Sequence, residues 1–171
     1  LAASGAQLDL VADAVVGKPN LTTGSGGGIN EYYLSEPAGV AEDPVTGALW
    51  VADMTNHRVL RYSSAASFAN GEAANLVLGQ PDFNSNNSGA ERHQLNWPGN
   101  VAITPDGRPV AVADTNNDRV LIWNDFPDRN AAVPSASCRP GASGSFAARR
   151  DRSRVTSCAL PSVPRSLASA R

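Results

Sequence analysis

The chain repeats itself at a spacing of 61 residues, and no other feature limits its fold as strongly. Segment 36–62, EPAGVAEDPVTGALWVADMTNHRVLRY, aligns with 97–123, WPGNVAITPDGRPVAVADTNNDRVLIW. Pro37 matches Pro98, Val40 matches Val101, and Pro44 matches Pro105. Ala52-Asp53 matches Ala113-Asp114, Asn56 matches Asn117, and Arg58-Val59-Leu60 matches Arg119-Val120-Leu121. A second element recurs ahead of each segment: ADAVVGKPNL (12–21) matches ANLVLGQPDF (74–83) with an offset of 62. The one-residue slip falls in polar loops, which absorb such changes readily. A unit of this length cannot bury its apolar faces alone, so neighbouring units must stack.

Each unit reads as four short strands. Val and Leu with aromatics at the edges mark them, and Pro-x-x-Gly, Pro-Asp-Gly or Asn-rich turns separate them. The pattern predicts strands at about 38–42, 48–53, 58–62 and 75–79, and in the second unit at about 99–103, 109–114 and 119–123. Residues 12–17 read as the fourth strand of a preceding unit. Fifteen Gly and twelve Pro, many in clusters, fit such frequent turns, and a 42% hydrophobic content supplies a core. Four antiparallel strands per repeat form the blade of a β-propeller, so the expected class is an all-β partial propeller.

The pattern P-x-G-V-A-x-D-P…V-A-D-x-x-N-x-R-V resembles the NHL repeat, a propeller blade. VLGQPDF resembles an element of a bacterial subgroup with long blades. The resemblance covers residues 12–123 and occurs twice in register. The second copy departs from it at Asn100, where the first has Gly39; Asn tolerates left-handed backbone better than most residues. The organisation expected is 1–33 as a preceding fourth strand and loop, 34–83 as one blade, 84–126 as an incomplete blade and 127–171 as a disordered basic tail.

Asp53, Asn56 and Arg58 fall at the turn between two strands, as do Asp114, Asn117 and Arg119. Short polar side chains there accept hydrogen bonds from backbone N–H groups and hold the turn. An Arg beside an Asp forms a multiply bonded bridge. Because both copies carry the set, it reads as repeated frame rather than as a unique catalytic centre, and the resemblance implies the same scaffold role. His57 is replaced by Asp118 in the second unit and reads as an exposed loop residue; His93 lies in a polar loop without a metal-ligand pattern. GSGGG (24–28) lacks the Lys-Ser/Thr of a phosphate loop, and no G-x-S-x-G is present. Trp50, Trp97 and Trp123 admit two readings: rim aromatics for a peptide or sugar, or buried packing between blades.

The pattern stops after residue 123. Residues 1–130 carry 15 acidic and 7 basic groups, net −8, whereas 131–171 carry 1 acidic and 7 Arg, net +6. The tail lacks the apolar density of a core. It reads either as a genuine basic arm or as the frame-shifted end of a longer propeller gene. Cys138 and Cys158 fit no zinc spacing, and their pairing stays open. The chain starts at Leu1 rather than Met, which reads as a fragment or a processed chain.

The resemblance to NHL propellers implies a binding or scaffold module for a protein, peptide or carbohydrate, without catalysis or a cofactor. RNA is disfavoured by the acidic repeat region, because backbone binding needs clustered Lys or Arg. The alternative is part of a propeller enzyme of the metal-dependent lyase or lactonase type. That reading is weakened by inner-strand regions that offer only Glu42, Asp43 and Thr104. No apolar run reaches the roughly 20 residues of a membrane helix. Open strand edges imply self-association, and the resemblance to long-blade bacterial NHL proteins implies an extracellular or periplasmic, cell-envelope location, with which the Lys-poor, Asn/Ser/Gly-rich composition agrees.

Overall fold

A computed structural model describes residues 12–125 and 127–138, all within one compact unit spanning 1–140. Eight strands form two four-stranded antiparallel sheets, each in the order of the chain. Sheet 1 contains β1 (Pro37–Glu42), β2 (Ala48–Asp53), β3 (Arg58–Ser64) and β4 (Leu76–Leu78). Sheet 2 contains β5 (Pro98–Ile103), β6 (Val110–Asp114), β7 (Arg119–Trp123) and β8 (Ala136–Cys138). The helical elements among the described residues are two single 3₁₀ turns, Ala65–Ser67 and Thr115–Asn117. No helix among them is long and apolar enough to cross a membrane.

The 61-residue repeat is also a repeat of backbone geometry. Both sheets shift register at the same place in their first strand, between Pro37 and Gly39 and between Pro98 and Asn100. Left-handed backbone recurs at Glu36 and Trp97 (φ 51° and 55°) and at His57 and Asp118 (φ 52° and 50°). The frame therefore imposes these conformations whatever side chain occupies them. The VxGxP element is a corner of the same kind. Gly17 and Gly79 have φ of 81° and 88°, and a Cβ on either would stand 2.7 or 2.6 Å from Cδ1 of Leu34 or Leu95, themselves one repeat apart.

Two apolar clusters hold the unit. The larger lies between the sheets and joins Trp50, Ala52, Val59, Leu76 and Leu78 to Val101, Val110, Val112, Leu121 and Trp123. The smaller covers the other face of sheet 1, where Val51, Leu60, Tyr62 and Val77 meet Val16, Leu34, Phe68 and Phe83. Strand alternation produces this division, since odd and even positions of one strand face opposite ways.

Three expectations need correction. Residues 12–17 are not a strand; their ladder partner would be the third strand of a preceding unit, and Val16 instead packs on the outer face of sheet 1. The second unit is not limited to three strands, nor is 127–138 a structureless tail. Ala136, Ser137 and Cys138 pair with Ile122, Leu121 and Val120, as β4 pairs with β3. A backbone ladder needs N–H and C=O groups, not the VLGQP side chains. The third concerns Gly39 and Asn100, neither of which has positive φ. Gly39 is there for close approach: a Cβ would stand 2.7 Å from the Cα and 2.5 Å from Oδ1 of Asn100, where β1 passes β5. Residues 139–171, including Cys158 and most of the expected basic arm, lie outside the described residues.

Candidate functional site

The polar residues of the repeat assemble at one end of each sheet, where the second strand turns into the third. Asp53, the last residue of β2, is fully buried, as is Arg58, the first of β3. Asp53 Oδ2 accepts Arg58 Nε at 2.7 Å and Asn56 Nδ2 at 2.9 Å, while Oδ1 accepts the Ser35 N–H at 2.7 Å. Arg58 spends its other donors on main-chain carbonyls: Phe83 at 2.6 Å, Asn30 at 2.9 Å and Tyr33 at 3.0 Å.

Sheet 2 reproduces the arrangement. Asp114 Oδ2 accepts Arg119 Nε at 2.6 Å and Asn117 Nδ2 at 2.8 Å, and Oδ1 accepts the Asn96 N–H at 2.6 Å. Arg119 donates to the carbonyls of Ala90 (2.6 Å), Glu91 and Gln94 (both 3.0 Å). Each guanidinium thus pins the loop leading into its sheet onto the β2–β3 or β6–β7 turn. Arg58 also holds the loop leaving β4. Every side-chain oxygen of the two Asp residues accepts at least one of these hydrogen bonds.

The three tryptophans separate. Trp50 and Trp123 are buried in the cluster between the sheets, and Trp123 Nε1 donates to the Ala132 carbonyl at 2.8 Å. A ligand-facing role for these two is corrected by that burial: each lies on the face of its sheet that meets the other sheet, where a large indole removes the most apolar surface from water. Trp97 is different. It is 40% exposed, just ahead of β5, in the left-handed backbone shared with Glu36.

His57 meets Trp97 across the seam, a contact that no local sequence pattern announces. Its Nδ1 accepts the Trp97 N–H at 3.1 Å, and the rings lie 6.5 Å apart at a 52° tilt. Gln80, buried at the end of β4, donates to the His57 carbonyl at 2.9 Å and to that of Asn87 at 2.9 Å, while Oε1 accepts the Asn87 N–H at 3.1 Å. VLGQPDF marked the segment that holds Gln80, although the first copy has Lys18 at that position. The exposed side chains of this rim include Glu36, Trp97, Thr115, Asn116 and Asp118, with Thr55 donating to Glu36 at 2.9 Å. His93 is exposed elsewhere in the loop.

Desolvation lowers the His57 pKa, opposed in part by the Asp114 carboxylate. Folding therefore favours the neutral ring that accepts the Trp97 N–H. The unfolded chain, with an ordinary value of about 6.5, binds more protons just below that pH. The contribution is complete above about pH 6.5 and is lost as pH falls through the lower folded value. Thermal midpoints should fall between pH 7 and pH 5, and His57→Asn, which tolerates the left-handed backbone, should flatten that slope. An unchanged slope would assign the effect to another group.

Among the inner-strand acids, Asp43 is buried and occupied: Oδ1 accepts the Val45 N–H at 3.0 Å and Oδ2 accepts the Thr46 hydroxyl. Thr104 donates to Asp106 at 2.6 Å, and Glu42 is exposed. No group of three His, Cys, Asp or Glu among the described residues is placed to hold a metal ion.

No protein-family model matches the sequence. The chain is similar to NHL repeat-containing protein 2 of Gallus gallus, at 34% identity over 102 residues. That match covers 57% of this chain and 13% of the chicken protein, so the chain spans a small part of that relative's length. With two blade-like sheets that repeat the D-x-x-N-x-R frame, the likeness supports kinship with NHL-repeat proteins at the level of the repeat.

Proposed function

We propose that the chain is a non-catalytic interaction module that contacts a protein, peptide or carbohydrate through the rim around Trp97. The observation that carries this reading is the contrast between the repeated polar groups and Trp97. Asp53, Arg58, Asp114 and Arg119 are buried and consumed by the frame, whereas the indole of Trp97 is offered to solvent at a position where the first unit has Glu36. The frame needs the left-handed backbone there but not the indole. A rigid, half-exposed aromatic contributes contact area at low entropic cost, which is why Trp is enriched at binding hot spots. The subgroup with long bacterial blades rests on VLGQPDF alone, and the relative found is an animal protein.

The test is a screen of displayed peptides and arrayed glycans against the chain and its Trp97→Ala variant. A true ligand should shield Trp97 from fluorescence quenching, and Trp97→Ala should weaken it by at least about tenfold, the loss of a hot spot near 1.4–2 kcal/mol. The thermal midpoint should hardly move. Binding of equal strength by the variant would sink the assignment of the rim.

A further inference from the structure

We propose that the open face of sheet 2 is a self-complementary docking surface on which a second copy of this chain seats face to face. The repeat identifies the surface. On sheet 1, Ala41, Trp50, Ala52, Val59 and Arg61 share one face by their strand register, and its apolar members pack on sheet 2. One repeat later the same face consists of Ala102, Ala111, Ala113, Val120 and Ile122. Among the described residues nothing covers it. Val120 is 39% exposed, Ala102 is exposed, and Ala111, Ala113 and Ile122 are half-buried.

The composition of this face is that of an interface. An antiparallel sheet that turns one side to water carries polar residues on that side. Here these five positions are all apolar, and Ile122 stands where sheet 1 has Arg61. Asn100, at the β5 end, is polar.

The choice of occupant follows from what a copy has free. A head-to-tail stack would need the outer face of sheet 1, the counterpart of the surface that sheet 2 presents to sheet 1. Among the described residues most of that face is already covered within the chain, where Val16, Leu34, Phe68 and Phe83 lie over Val51, Leu60, Tyr62 and Val77, and its β1 end at Val40 stays open. Among the described residues, the apolar sheet face left open across its whole width in a second copy is the same face of sheet 2. Two identical faces pair through a two-fold axis, which closes at the dimer. Ala102, Ala111 and Ala113 let two backbones approach to the roughly 10 Å of packed sheets, with Val120 and Ile122 filling the gap. Four short strands span about 17 Å by about 15 Å, well under the ~800 Å² per partner of a standard stable interface. The dimer is therefore weak and dissociates on dilution.

Sedimentation velocity on the full chain, from low micromolar to near-millimolar concentration, tests this. A reversible monomer–dimer shift is expected. Val120→Glu should hold the chain monomeric at the highest concentration with its thermal midpoint preserved, and Ile122→Lys should do so independently. Val40→Glu, at a more exposed valine on the other side of β1 (61%), should leave the dimer intact. A monomer at every concentration overturns the proposal and leaves the face to residues 139–171 or to a different protein. A dimer that survives Val120→Glu but not Val40→Glu overturns it in favour of pairing along the edge of β1.

Discussion

Arg58→Ala is expected to lower the unfolding free energy by about 3–5 kcal/mol, the cost of stranding one member of a buried ion pair. The loss is not that of one bond. The guanidinium donates to Asp53 and to three carbonyls from two separate loops, and all four acceptors would be left without this donor in a site closed to water. Against a total stability of roughly 5–15 kcal/mol, this leaves little of the folded population. Urea unfolding followed by circular dichroism would read it as a collapse of the midpoint. Arg58→Lys keeps the charge but not the fork, and should recover only part of the loss. The double variant Asp53→Asn, Arg58→Met should be more stable than Arg58→Ala, because no lone charge stays buried and the amide oxygen introduced at position 53 still accepts the Ser35 N–H. A midpoint for Arg58→Ala within error of the parent chain would remove the clamp from the account.

Trp50→Ala should destabilise by a similar amount, about 3–5 kcal/mol, through a different route. Trp50 lies fully buried between the sheets, with the Arg61 guanidinium 5.7 Å from its ring, so truncation opens a cavity in the seam. The effect should be local in a way that the Arg58 variant is not. Amide exchange should accelerate along β5–β7, whose apolar side chains close the seam. The amides of Leu60 and Val77, whose side chains belong to the other cluster, should keep more of their protection. Uniform loss of protection would show that the two clusters unfold as one unit.

The seven strands that carry the repeat were legible because Val, Leu and Trp alternate between sharp turns, and the boundaries predicted and observed differ by at most two residues. What escaped was whatever depends on partners distant in the chain. Ala136–Cys138 has no apolar signature, yet β7 had an unpaired ladder beside it. Residues 12–17 have the signature, yet no strand among the described residues pairs with them. Gly39 looked like a conformational glycine and is instead a point of contact between strands 61 residues apart. At the site, the Asp, Asn and Arg of the turns were readable as a set because they recur, although nothing local revealed that Arg58 reaches Phe83. The His57–Trp97 contact was hidden, because it joins two positions that differ between the copies.

The cover over sheet 1 has a bearing on how the chain is made. Among the described residues its cluster draws on 16–83, whereas the seam needs residues as late as Ala132. On a ribosome, the first sheet can therefore complete one hydrophobic face while the second is still unsynthesised. It then serves as a template on which the following sheet condenses strand by strand. The segment around Val16 thus lets sheet 1 close one face before sheet 2 exists, and sheet 2 is the one that must wait for its partner.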